Sequence, residues 1–446
     1  MIPYCSPATC PAAGGRPTLC TGAGVPSNSE LFERSRRAIP GGVNSSIRAF
    51  AAVGGSPYVV ARAEGPYVFD VEGTRYIDLV QSYGAVILGH AHPAVTAAIT
   101  AAAADGTSYG APTPREMKLA EAIAERVPSC ARVRLMNSGT EATSTAIRLA
   151  RGMTARDRIL TFSGNFHGAT NALLVAGGSG LATLGLPGTA GVPNAAVANT
   201  IVAPYNVVPT LDETFAAVIV EPVAANMGVV APAPGFLDGL RAECDRVGAL
   251  LIFDEVITGF RLGHGGAQAK YDVVADLTCF GKIIGGGLPI GAVGGRADLM
   301  EGLTPIGKVF HAGTLAGNPI ATAAGLAVLD LLDGDVYIEL SARARQLAGV
   351  LRDACSSAGV VAQFAVVGTL VGMYFGEGPL PTNFDQARST DESAYAAWFQ
   401  AALREGIALA PGAYEAVFVG LGHDDAVIDR IGVAAHAAAA AVGSST

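Results

Sequence analysis

The chain has 446 residues, half of them hydrophobic and only 15% charged, with a formal net charge of −9. That is enough apolar material for two or three domains or sub-domains with a sizeable core, and the acidic balance offers no electrostatic footing for nucleic acid. No uninterrupted apolar run reaches the ~18 residues of a membrane span, so no membrane partner is expected.

Residues 1–28 are rich in Pro, Gly and Ala and carry Cys5, Cys10 and Cys20. They lack a basic region followed by an apolar one, so no secretory signal is expected. The cysteine spacing fits no usual zinc pattern. The segment reads as a disordered leader, or the true start lies downstream. Cys130, Cys244, Cys279 and Cys355 lie in or beside apolar segments, a distribution expected of buried free thiols in a reducing cytoplasm.

An N-terminal segment over 29–85 reads as a helix followed by short strands at Tyr58–Val60, Tyr67–Phe69 and Arg75–Leu79, separated by Gly-Pro and Glu-Gly turns. His90 and His92 have i, i+2 spacing with no carboxylate or thiol nearby, which suits a turn better than a metal site. Thr113-Pro114-Arg115-Glu116 has capping-box spacing, with Leu119, Ile123 and Val127 recurring along one helical face.

From Arg132 onward, short apolar strands alternate with helical segments, the pattern of a mainly parallel sheet covered on both faces. The strands are expected at Val133–Met136, Ile159–Phe162, Val218–Val220, Leu250–Phe253 and Leu277–Phe280. Distinctive polar groups follow each in turn: Asn137 to Thr140, then His167 beside Phe166, Glu221, Asp254-Glu255, and Lys282. Ligands of open α/β sheets bind outside the carboxyl ends of the strands, so five strands deliver their groups to one edge. A large domain over 86–333 then gives way to a smaller C-terminal α+β domain over 334–446, with helices near Val336–Ala358 and Ala394–Glu405 and an Ala-rich final helix.

Lys282 is the most informative of these residues. A lysine at the end of a buried strand loses solvation unless its head escapes to the surface, and the chemistry that exploits a buried amine is Schiff-base formation. Asp254 suits a pyridinium nitrogen or a structural arginine. Ser138, Gly139 and Thr140 precede a helical run, as a phosphate nest or an ordinary N-cap would. No GxxxxGK[ST] string is present, so this is not a nucleoside-triphosphate loop. Phe166 suits stacking on a flat ring or core packing, and the long Gly/Ala-rich stretch 164–193 suits a mobile lid or a disordered insertion.

From about Ser29 to the end, the chain resembles the class III pyridoxal-phosphate aminotransferase family of fold type I. The telling strings are Asn137-Ser138-Gly139-Thr140-Glu141-Ala142, Phe253-Asp254-Glu255-Val256-Ile257-Thr258-Gly259-Phe260-Arg261, the run Gly281 to Gly291, and Ala312-Gly313-Thr314-Leu315-Ala316-Gly317-Asn318-Pro319. Three further strings, Pro40 to Ser45, Gly178 to Pro187 and Ala410 to Glu415, resemble the members that move an amino group within one amino aldehyde. Conventional members pass it from an amine or amino acid to a 2-oxo acid, and that activity is the alternative.

The resemblance implies pyridoxal 5'-phosphate or pyridoxamine 5'-phosphate as cofactor, with Lys282 forming the Schiff base and moving protons. It implies Asp254 on the pyridinium, Val256 and Phe166 against the ring with His167 beside it, Asn226 near the cofactor hydroxyl, and Ser138, Gly139 and Thr140 on the phosphate. Thr314 would join the phosphate from a second subunit, making a homodimer with shared sites. Arg48 would take the substrate carboxylate, Ser179 would lie in the lid, and Glu415 would reach the site from the small domain. The chain departs from the family pattern at Ser46, Tyr83, Phe166, Ala225 and Gly168 to Asn171.

Overall fold

The computed structural model describes residues 26–175 and 189–443. Ser27 N-caps the first helix, Asn28–Ala38, in a complete capping box with Glu30. Asn28 also donates to Asp70 Oδ2 at 2.9 Å and accepts from the Val59 amide at 2.7 Å. The expected leader is therefore too long at its end: residues 27 and 28 are tied into the fold by side-chain hydrogen bonds that composition does not reveal.

Strands β1 (Val60–Glu64), β2 (Tyr67–Asp70) and β3 (Arg75–Asp78) form an antiparallel meander. The central sheet contains β4 (Arg132–Met136), β5 (Arg158–Phe162), β6 (Thr200–Ala203), β7 (Phe215–Val220), β8 (Leu250–Asp254), β9 (Leu277–Gly281) and β10 (Gly291–Gly295). Its order is β4-β10-β9-β8-β7-β5-β6. Strands β9, β8, β7, β5 and β6 pair in parallel, whereas β10 runs antiparallel to both β9 and β4. Strands β7, β8 and β9 are buried along their whole length, which is why they read as continuous apolar runs.

Strand β10 reads Gly-Ala-Val-Gly-Gly, a composition with little strand propensity. Its glycines serve close approach: a Cβ on Gly291 would sit 2.1 Å from the Ser138 carbonyl oxygen. The third sheet, β11 (Ala362–Val367), β12 (Leu370–Phe375) and β14 (Val417–Phe418), belongs to the C-terminal region. Between them in sequence, β13 (Ile407–Ala408) crosses over to pair in parallel with β3. The N-terminal and C-terminal regions thus share a sheet.

Among the described residues, one helix, Asp425–Gly443, is long and apolar enough to cross a membrane. It packs against the helices Gly334–Ser357 and Glu392–Arg404, and its Val427, Ile428, Ile431 and Ala435 are buried there.

After β3 the backbone makes a left-handed turn. Gln81, Ser82, Tyr83 and Gly84 have φ of 46°, 52°, 54° and 93°. Left-handed geometry costs roughly 1–2 kcal/mol for each non-glycine residue, so the turn must be held by its surroundings. The Asp78 carboxylate accepts from the Val80 and Gln81 amides at 2.9 and 3.2 Å, and Gln81 Nε2 donates to the Asp78 carbonyl at 2.9 Å.

Candidate active site

A cavity of about 370 Å³ opens at the carboxyl ends of the central strands, lined by Ser138, Gly139, Thr140, Phe166, His167, Glu221, Asn226, Asp254, Val256 and Lys282 among others. Nine of the thirteen residues proposed from sequence to serve the site line it. Each arrives from a strand end, where the ladder stops and side chains are released from the sheet.

Lys282 follows β9 directly, in a left-handed conformation with φ 48°. Strain of this kind persists only where the surrounding structure enforces it. One side of the residue faces the cavity, and protein surrounds its amine. Burial lowers its pKa below the ordinary lysine value, against the opposing pull of Asp254, Glu221 and Glu415; Arg261 adds to the lowering.

Asp254 ends β8, buried. Among the described residues no arginine binds it: its Oδ2 lies 2.7 Å from His167 Nδ1, and Oδ1 accepts from the Val256 amide at 3.1 Å. A carboxylate only accepts, so the imidazole donates, and the buried His167 fixes the orientation of Asp254. His167 Nε2 is buried without a hydrogen-bond partner among the described residues.

Ser138 is an N-cap that keeps a donor free. Its Oγ accepts from the Glu141 amide at 3.2 Å, capping the helix Gly139–Thr154. A hydroxyl that accepts still has its own hydrogen to donate, and the first amides of the helix point the same way. Gly168 has φ +81°, and a Cβ there would meet Thr140 Oγ1 at 2.3 Å. The Ala169 amide donates to that same oxygen at 3.2 Å.

Phe166 is 40% exposed, which disposes of core packing and leaves its ring at the cavity. Val256 is partly buried and lies against Gly139, where an added Cβ would come within 3.0 Å of Val256 Cγ2. Asn226 donates to Glu221 Oε1 at 2.9 Å.

Glu221 is the group that sequence reasoning noticed without assigning a role. It is buried at the end of β7 and accepts from the Phe166 amide at 2.7 Å and the Ala225 amide at 2.9 Å. Burial pushes its pKa up to about 7, and the charge of Asp254 adds to the rise. The signal was the one that marked Asp254: a carboxylate directly after a fully apolar strand.

Of the other four, the three that are described do not line this cavity. Arg48 is exposed on a short 3₁₀ segment, Ser46–Ala49. Arg48 and Glu415 both act electrostatically on Tyr83, and Glu415 also acts on Lys282. Thr314 is exposed and is not among the residues lining its own chain's cavity. Ser179, with residues 176–188 of the expected lid, lies outside the described residues, as does the cysteine-bearing leader through residue 25.

His90 Nε2 lies 2.6 Å from Asp78 Oδ2, a structural pairing beside the left-handed turn. No group of three or more potential metal ligands occurs among the described residues.

The donor set fits a flat, phosphorylated pyridine. It has an amine and a carboxylate lining one cavity, an aromatic and a branched aliphatic side chain, and a helix start bearing two hydroxyls. Gly168, where even a methyl group would collide with Thr140, keeps that helix start accessible.

A family model for class-III aminotransferases matches residues 50–417. A glutamate-1-semialdehyde 2,1-aminomutase from Bordetella avium (strain 197N) is 51% identical over 409 residues, covering 90% of this chain and 96% of that protein. Among solved structures, an omega-transaminase from Sphaerobacter thermophilus superposes with a TM-score of 0.84 at 31% identity, covering 93% of this chain and 97% of that one. A glutamate-1-semialdehyde-aminomutase from Pseudomonas aeruginosa gives 0.82 at 25% identity, covering 93% and 94%. With the amine, carboxylate and hydroxyl-bearing helix start gathered at one sheet edge, the chain belongs to the class-III aminotransferase family.

Proposed function

We propose that this chain is a pyridoxal-phosphate-dependent isomerase that converts glutamate-1-semialdehyde to 5-aminolevulinate, a step toward tetrapyrroles, by moving an amino group within one molecule. The observation that carries this reading is the convergence of Lys282 and Asp254 on one cavity in a chain 51% identical to a named aminomutase. When bound, the cofactor supplies an electron sink for the carbon beside the transferred nitrogen.

Lys282 holds its amine where burial favours the neutral form, ready to take a proton at one carbon and return it at another. Asp254, oriented by His167, anchors the ring nitrogen through a charge-assisted hydrogen bond. Ser138, Gly139 and Thr140 hold the phosphate at the helix N-terminus, while Phe166 and Val256 pack against the ring and Asn226 lies near its hydroxyl. Arg48 receives the substrate carboxylate, and Glu415 faces the amine from the C-terminal region. Ser179 belongs to the segment that would exclude water during turnover.

The enzyme acts as a homodimer in which Thr314 of the partner subunit completes the phosphate nest. Support comes from Ile306, Phe310 and Leu315, which are 69%, 68% and 51% exposed around Thr314; large apolar side chains clustered at a surface mark interfaces. A cytoplasmic location fits the four buried free thiols.

The omega-transaminase likeness favours a second reading, transfer between two substrates. Supplying the semialdehyde alone decides between them. Formation of 5-aminolevulinate without a 2-oxo acid supports the isomerase, and turnover only on adding such an acceptor supports the conventional transferase.

A further inference from the structure

The left-handed turn Gln81–Gly84 is clasped from outside by one residue. Arg261 is completely buried and donates from Nη2 to the Gly84 carbonyl at 2.6 Å. Its Nη1 reaches the Val419 carbonyl at 3.3 Å and Thr369 Oγ1 at 3.4 Å, and that hydroxyl donates back to the Arg261 carbonyl at 3.2 Å. The guanidinium carbon lies 5.1 Å from the centre of the Phe418 ring. The same ring fills the space beside Gly84, where a Cβ would approach Phe418 Cε1 to 2.7 Å. One cation thereby joins the segment after β8, the turn after β3 and the sheet of the C-terminal region.

The placement is costly for mere packing. Among the described residues no carboxylate pairs with Arg261, and its Nε has no partner. A buried guanidinium without a counter-charge is strongly disfavoured, whereas a neutral side chain could fill the volume. What the guanidinium adds is a fork of donors that grips two backbone carbonyls from separate segments.

The residue just before Gly84 is Tyr83, which lies within electrostatic range of Arg48 and Glu415. We propose that Arg261 is a positioning residue for substrate recognition: by gripping the Gly84 carbonyl it locks the left-handed turn and so fixes Tyr83 beside Arg48 and Glu415. This rests on the reading that Arg48 receives the substrate carboxylate.

The test uses the full-length, cofactor-loaded protein with Arg261→Met, Arg261→Lys, Tyr83→Ala and the Arg261→Met/Tyr83→Ala double variant. Hydrogen exchange reads the turn without reference to activity. The Ala85 and Val86 amides, which bond to the Ser82 and Gln81 carbonyls, should exchange about tenfold faster in Arg261→Met, with β8 unchanged. KM for the semialdehyde should rise about tenfold with kcat within about twofold and the cofactor band retained, the signature of lost binding. Arg261→Lys should recover part of both effects. The double variant should be no more than about twofold worse in KM than Tyr83→Ala, because coupled residues are not additive.

Unchanged exchange at the turn, multiplying KM effects, or a joint fall of kcat and cofactor band would overturn the proposal. If Arg261→Met does not fold, the exchange comparison passes to Arg261→Lys, with the same outcomes. If the parent protein fails to turn over the semialdehyde, the functional reading falls while the exchange result still judges the clasp.

Discussion

Burial depresses the basicity of Lys282, while Asp254, Glu221 and Glu415 pull the other way. That balance keeps an amine available for proton transfer at a site where a surface lysine would remain charged. Lys282→Ala should abolish the visible absorbance band of a lysine-linked cofactor and lower kcat by about 10²–10⁴-fold, the usual contribution of a positioned proton carrier. An unaltered band in that variant would refute the assignment. Glu221 offers a test through stability. Its folded-state pKa of about 7 stands above its ordinary value of 4.5, so the folded protein holds a proton that the unfolded chain has already released. The resulting stabilisation is fully present below pH 4.5, is lost as pH rises to about 7, and amounts to about 3 kcal/mol. Glu221→Gln removes this titration. Denaturation of the cofactor-free protein at pH 5 and pH 7.5 should therefore show a smaller drop in the variant, and equal drops would assign the titration elsewhere.

The helix Gly139–Thr154 serves the site only because its first turn is left uncovered. Gly168 packs against it, and at φ +81° with Thr140 Oγ1 only 2.3 Å from any Cβ, Gly168→Ala must displace Thr140. Cofactor affinity should fall about tenfold or more, in line with the loss of one charge-assisted hydrogen bond, and titration of the cofactor-free protein by its visible absorbance reads it. Unchanged affinity would remove Thr140 from the phosphate site. Elements of this kind were legible in the sequence where burial left a simple pattern. Strands β7, β8 and β9 are buried throughout and apolar but for Thr278 and the closing Asp254, so the polar residue ending or following each one stood out, and the Thr113/Glu116 capping box sits where its spacing placed it. Strand β10 was invisible because its glycines answer to neighbours such as Ser138 rather than to strand propensity. The turn at Gln81–Gly84 was equally hidden, since three of its residues are not glycine and its geometry is imposed by Asp78 and Arg261. The crossing of β13 to β3 depends on a two-residue pairing between regions more than three hundred residues apart, and no local signal reports it.

At the scale of the whole molecule, the segment holding Thr314 is fastened to the same edge as the cavity while its apolar side chains face outward. Arg148 Nη1 donates to the Phe310 carbonyl at 3.1 Å, and a Cβ on Gly313 would lie 3.2 Å from Nδ2 of the cavity-lining Asn137. Phe310 and Leu315 nevertheless remain mostly exposed, an arrangement that a second subunit would relieve by covering them. Phe310→Asp places a charge where that contact would form, and a buried unpaired carboxylate weakens an interface severely. Sedimentation velocity monitored at the cofactor band should then show two linked changes: a shift from dimer to monomer, and loss of cofactor from the monomer as concentration falls. On the proposed reading, a nest completed by Thr314 of the partner subunit would bind phosphate more weakly once the partner leaves, and binding coupled to association obeys mass action. A variant that stays dimeric would show that the Phe310 surface is not the interface. A monomer that keeps its cofactor as firmly as the parent would show that each subunit builds its phosphate site alone.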